Sequence, residues 1–149
     1  MRWLARLRRT SVHEWRLMGE ALLLVLRIRV SLWVHPFKRV QATYVARDER
    51  SVGNGDGYLD VATAKAVGVA VRRSSRLVPG ATCLPQALAT RVMLGRRGVP
   101  NALLFGVARA ENGALQAHAW IEVGEVVVAG DLPDLARYQR MPDLPEPGR

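Results

Sequence analysis

Apolar residues recur at helical spacing through the first two thirds of the chain and then alternate in two-residue steps, so helices precede strands. Ser11-Val12-His13-Glu14 has the spacing of a capping box, with Ser11 able to cap and Glu14 to reach back. It predicts a helix running to His35 before Pro36, with Trp15, Met18, Leu22, Val25 and Leu26 as its apolar stripe. Gly53-Asn54-Gly55-Asp56-Gly57 is a loop, and a second helix follows over about residues 58–75, on which Leu59, Ala62, Ala66 and Val69 recur. Pro79-Gly80 turns the chain into a third helix with Leu84, Ala87, Leu88 and Val92 on one face. Pro85 fits there because the first turn has no need of its missing N–H. This helix is expected to stop at Gly98, ahead of Val99-Pro100.

Beyond that point Leu103, Phe105 and Val107 alternate as in a half-buried strand, and Asn112-Gly113 reads as a hairpin turn. In the next strand Leu115, Ala117, Ala119, Ile121 and Val123 share one face, and Gln116, His118, Trp120 and Glu122 share the other. Gly124 reverses the chain into Val126-Val127-Val128, and the segment from Met141 to Pro147 reads as an extended tail. There are no internal repeats.

A chain of 149 residues with 49% hydrophobic composition can bury a core as one domain, or as a small domain with a helical arm. Its net charge of +9 is uneven: residues 1–50 hold eleven Lys/Arg against four Asp/Glu, giving +7, and the remainder holds eleven against nine. The division expected is a basic helical N-terminal region, 1–57, and a core, 58–149, packed as one unit. The basic arm lacks a recognition-helix, zinc-finger or RNA-binding aromatic motif, so docking to a partner or a solvated face ranks above nucleic-acid binding. The longest apolar run, Ala21 to Leu26, is followed by Arg27 and Arg29, too short for a transmembrane segment and placed wrongly for a secretory signal. A cytoplasmic location is the expectation. The Gly53–Gly57 loop has neither the Lys-Ser/Thr ending of a phosphate loop nor the alternating oxygen ligands of a calcium loop.

A single cysteine excludes an internal disulfide, and one Cys with three scattered His gives no zinc spacing. Cys83 falls at the start of the third helix, where unpaired N–H groups and the helix dipole favour a thiolate. His118 follows in a strand and Asp131 after a further strand, the chain order of papain-like enzymes. A buried cysteine and a structural histidine are the competing reading, and pattern alone leaves both open. His13 and His35 have no neighbours that suggest chemistry.

Four blocks over residues 77–140 carry a resemblance: Cys83-Leu84-Pro85-Gln86-Ala87-Leu88-Ala89; Leu94-Gly95-Arg96-Arg97-Gly98-Val99-Pro100; Phe105-Gly106-Val107; and Ala117-His118-Ala119-Trp120-Ile121-Glu122-Val123. In that order they resemble the leader peptidases of lasso peptide biosynthesis, relatives of the C-terminal part of the microcin-processing protein within the transglutaminase-like superfamily. The resemblance implies an α+β, transglutaminase-like (papain-like) cysteine protease fold, with a Cys-bearing helix packed on a small antiparallel sheet and preceded by N-terminal helices. It implies a triad of Cys83, His118 and Asp131, with Asp134 as the alternative acid because Gly124 to Gly130 is a residue longer than the family's usual spacing. Trp120 would shield the His118–acid pair or simply fill the sheet, and the Cys83 N–H would be one oxyanion donor. No cofactor is implied for the chain itself, although maturation as a whole uses ATP. The partners implied are a precursor peptide, a separate leader-binding protein (a RiPP recognition element) and a macrolactam-forming lasso cyclase. A different acyl transferase or amidase with the same triad, and a binding module without catalysis, are the alternatives.

Overall fold

The structure is a computed structural model that describes residues 11–40, 42–44 and 60–142. The expected loop at Gly53–Gly57, Leu59 and the tail from residue 143 lie outside the described residues. Three long helices come first: α1 (Val12–Val34), α2 (Val61–Ser75) and α3 (Cys83–Gly95). They are followed by β1 (Ala102–Arg109), β2 (Leu115–Val123), β3 (Val126–Ala129), a 3-10 turn at Leu135–Arg137 and β4 (Gln139–Arg140). The strands form one antiparallel sheet in the order β3-β2-β1-β4, which makes the fold α+β as the resemblance implies.

Local chemistry sets the helix ends. The capping box is formed: the Glu14 N–H donates to Ser11 Oγ at 3.2 Å, and the Ser11 N–H donates to Glu14 Oε2 at 3.0 Å. Asp60 caps α2 by accepting from the Thr63 N–H at 2.8 Å. α3 ends at Gly95, three residues earlier than expected. The chain leaves through Gly98, whose φ of +66° lets Val99 N–H return to the Leu94 carbonyl.

α3 is the hub. Ala87, Leu88, Ala89, Thr90, Met93 and Leu94 are all buried between α1, α2 and β2. Thr90 is accommodated because its hydroxyl donates to the Gln86 carbonyl at 2.9 Å. Ser74 likewise donates from α2 to the Met18 carbonyl of α1 at 3.0 Å.

The expected apolar stripe of α2 is rotated away from the face the fold buries, whereas that of α1 is buried in part: Val25 lies in the core and Met18 and Leu22 pack half-buried against it. α1 buries Leu17, Ala21, Leu24, Val25 and Ile28, leaving Trp15 50% and Leu26 47% exposed. α2 buries Ala64, Val67, Gly68, Ala70 and Val71, whereas Ala62 and Ala66 face outward and Val69 is 40% exposed. Both helices are apolar on more than one side, so hydrophobicity alone gives no unique face. Small residues decide it, since Ala21, Ala64 and Gly68 permit the close approach of packed backbones.

In β2, Ala119, Ile121 and Val123 join the core as their alternation predicts. Leu115 and Ala117 are exposed. Trp120, on the opposite face, is also buried. None of the described helices is long and apolar enough to cross a membrane.

Candidate active site

Cys83 is the first residue of α3, and its half-buried thiol is in the free form. Thr82 precedes it in extended conformation and gives no side-chain cap, so that side chain leaves the N–H groups of the first turn open. The turn leading in is braced from α1: the Arg29 guanidinium lies over Gly80, and its Nε donates to the Pro79 carbonyl at 3.4 Å. Gln86, one turn into α3, donates from Nε2 to the Ala81 carbonyl at 2.9 Å.

His118 stands in β2 opposite Gly106 of β1. Its Nε2 lies 2.7 Å from the Gly130 carbonyl oxygen. A carbonyl can only accept, so Nε2 carries a proton, and in the neutral ring the lone pair is then on Nδ1, the arrangement a general base requires. Trp120 stacks on the imidazole with centroids 6.2 Å apart and planes at 14°, and Tyr138 approaches with its centroid at 5.5 Å. Trp120 is anchored by its Nε1 donating to Glu122 Oε1 at 3.0 Å, and Glu122 is paired with Arg140 at 2.7 Å. The indole has room because residue 106 lacks a side chain: a Cβ there would lie 2.9 Å from the ring.

Gly130 is fixed as glycine twice over. Its φ is +78°, and a Cβ would come within 2.6 Å of the Ala119 carbonyl oxygen. β3 delivers this residue alongside β2, with the pairing slipping between Ile121 and Glu122.

Cys83, His118 and Asp131 all line one cavity of about 380 Å³, together with Gln86 and with Lys65 and Arg72 of α2. Asp131 adjoins the carbonyl that holds the imidazole, but the hydrogen bond itself comes from Gly130. Among the described residues no hydrogen bond joins the thiol to the imidazole. Asp134 does not line this cavity. It is ion-paired with Arg137 at 2.7 Å and belongs to a separate depression beside Asn112 and Gln116.

The three side chains singled out from the sequence thus line one cavity, whereas the atom that binds the imidazole was not foreseen, because a backbone carbonyl has no residue signature. The only signal for it was Gly130 directly before Asp131. Tyr138, Gln86, Lys65 and Arg72 were also unassigned; their roles depend on packing between elements far apart in sequence.

A nucleophile at a helix start and a histidine with a free Nδ1, on the wall of one cavity, suit attack on an acyl group followed by transfer to water or an amine. A family model described as the transglutaminase-like superfamily matches residues 22–143. Comparison with curated proteins and with solved structures gives no match.

Proposed function

The chain belongs to the transglutaminase-like superfamily, which includes cysteine peptidases and acyltransferases, and on that premise we propose that it is a cysteine peptidase removing the leader from a lasso peptide precursor. The observation that carries the reading is the convergence of Cys83, His118 and Asp131 on one cavity, with the imidazole held in the base-competent tautomer.

In this reading His118 Nδ1 takes the proton from Cys83, and the thiolate attacks the carbonyl at the leader–core junction. The Cys83 N–H, at the open start of α3, donates to the developing oxyanion. Collapse of the tetrahedral intermediate breaks the C–N bond, and the core amine leaves with the proton from His118. Water, deprotonated by the same nitrogen, then releases the leader as a carboxylic acid from the thioester. The Gly130 carbonyl keeps the ring oriented throughout, and the Asp131 carboxylate beside it offsets the charge of the imidazolium. The freed amine is the group a macrolactam-forming cyclase consumes.

Leader recognition is assigned to a separate protein, and α1 is the face offered to it. Leu23, Leu26, Val30 and Trp33 are exposed along α1, with Arg27 beside them, which suits an acidic, apolar partner surface. Arg29 is excluded from that surface because it braces the Pro79-Gly80 turn. Trp33→Ser with Arg27→Glu is expected to raise the partner concentration needed for processing, without loss of Cys83 alkylation. Unchanged partner dependence would refute the docking face.

Mass spectrometry of a precursor incubated with this protein and a leader-binding partner tests the proposal. Cleavage at the junction that is lost in Cys83→Ala is the expected result. Covalent amide products in place of free leader would favour the acyl-transfer alternative. An inert Cys83 with intact peptide would favour a binding module.

A further inference from the structure

The catalytic cavity has a second wall that the triad does not use. Lys65 and Arg72 are seven residues apart on α2, so they project from the same face, about 10 Å apart along the axis. Both line the cavity that holds Cys83 and His118, both are exposed side chains, and neither is in a salt bridge among the described residues. Among the described residues Asp131 is the only carboxylate on the lining, leaving two cations against one anion. Between them Gly68 brings α2 against β3, so the cations belong to a packed wall.

We propose that Lys65 and Arg72 form an anion-recognising subsite of this cavity, which selects peptide substrates bearing a carboxylate side chain close to the bond that Cys83 attacks. The inference rests on the peptidase reading and adds to it the chemical class of the substrate's flanking residue. Arginine's planar fork pairs with a carboxylate through two N–H donors, and lysine adds a mobile point charge. A concave wall of one sign also concentrates anions at the thiol.

Arg72 lies in the last turn of α2, where a cation also offsets the helix dipole. Arg73 and Arg76 share that end of the helix but do not line the cavity, so they supply the control. The test compares alkylation of Cys83 by iodoacetate and by iodoacetamide. In each reaction the thiolate sulfur bonds to the methylene carbon and iodide leaves; the reagents differ in bearing a carboxylate or a neutral amide. Both require the thiolate, so a change in thiol ionisation cancels in the ratio of their rate constants.

At low ionic strength the iodoacetate-to-iodoacetamide ratio is expected to fall by about three- to tenfold in Lys65→Gln/Arg72→Gln, and to stay at the wild-type value in Arg73→Gln/Arg76→Gln. Added salt is expected to bring wild type and the first variant together. An equal ratio in wild type and Lys65→Gln/Arg72→Gln, or an equal fall in the control, overturns the subsite while leaving a reactive cysteine. A Cys83 that neither reagent modifies overturns the peptidase reading, and the subsite with it.

Discussion

Replacing Gly68 by alanine puts the same methyl group into a helix that Gly19→Ala does, and the structure predicts opposite signs. Both glycines lie inside helices, where alanine is favoured by about 1 kcal/mol through backbone entropy and helix propensity. A Cβ at Gly19 would meet nothing within 4 Å, so that gain is realised in full. A Cβ at Gly68 would lie 1.8 Å from the Val128 carbonyl oxygen and 2.9 Å from its carbon. Those are backbone atoms of β3 and cannot rotate aside. Ordinary contact requires α2 and β3 to separate by roughly 1.5 Å, in a region that also buries Val67, Val71 and Ala129. Overpacking of this kind costs about 3 kcal/mol or more, which exceeds the propensity gain and leaves about 2 kcal/mol of destabilisation.

For a domain of this size the melting temperature should fall by roughly 4–8 °C in Gly68→Ala and rise by roughly 2–4 °C in Gly19→Ala. Thermal unfolding followed by circular dichroism at the helical band measures both. Because β3 leads directly to Gly130 and Asp131, Gly68→Ala should also change the alkylation rate of Cys83 in the folded protein, whereas Gly19→Ala should not. Equal stabilisation by the two substitutions would refute the backbone contact between α2 and β3.

Gly130→Ala combines an unfavourable positive φ with a clash against the Ala119 carbonyl, so it should displace the oxygen that fixes His118 and lower processing by about 100-fold or more. Imidazole 15N shifts are the independent readout: wild type should show the Nε2–H tautomer, and persistence of that tautomer in the variant would count against the carbonyl as orienting group. Glu20 bridges α1 to the end of α3. Burial raises its pKa, but the hydrogen bonds and charges of Arg97, at 2.7 Å, and Arg96, at 2.9 Å, outweigh it and hold the carboxyl below its ordinary value. A depressed folded-state pKa gives stability that is present above the unfolded value and lost as pH falls through the folded one. Glu20→Gln should therefore be less stable than wild type at neutral pH, and the gap should close below about pH 4.3; a gap independent of pH would be inconsistent with the bridge. Trp120→Ala removes a buried indole and should cost about 3–5 kcal/mol in urea unfolding, with Trp120→Phe costing far less. Equal losses would place the energy in the bond to Glu122 instead.

The start of α1 and the hairpin were readable because each rests on a local rule. Ser11 and Glu14 satisfy one another over three residues, and Asn112-Gly113 closes its own turn, with Gly113 at φ +81°. The buried face of α2 was not readable and that of α1 only in part, because Trp15 and Leu26 are as apolar as the Leu17 and Leu24 that the fold buries. Which face wins depends on where α3 lies, and no local window contains that information. β4 has two residues and pairs through Gly106 and Val107, too short to show a period. Cys83, His118 and Asp131 could be singled out as candidates from residue type and chain order, and the structure adds that all three line one cavity while Asp134 does not.

What assembles the site is a different set of residues from the one that gives it chemistry. Three glycines do the placing: Gly68 lets α2 close against β3, Gly106 seats Trp120 behind the imidazole, and Gly130 turns its carbonyl to His118. In each case the requirement is a missing side chain, imposed by atoms from a distant segment. In the proposed mechanism a helix start favours the Cys83 thiolate, whereas His118 serves as a base only with its tautomer fixed, the part assigned there to the Gly130 carbonyl. Asp131 can then act through charge, without the hydrogen bond a carboxylate usually makes to the imidazole. Removing its charge in Asp131→Asn should accordingly impair the reaction less than moving the Gly130 carbonyl does. That order would reverse if the carboxylate, during turnover, took over the bond to Nε2.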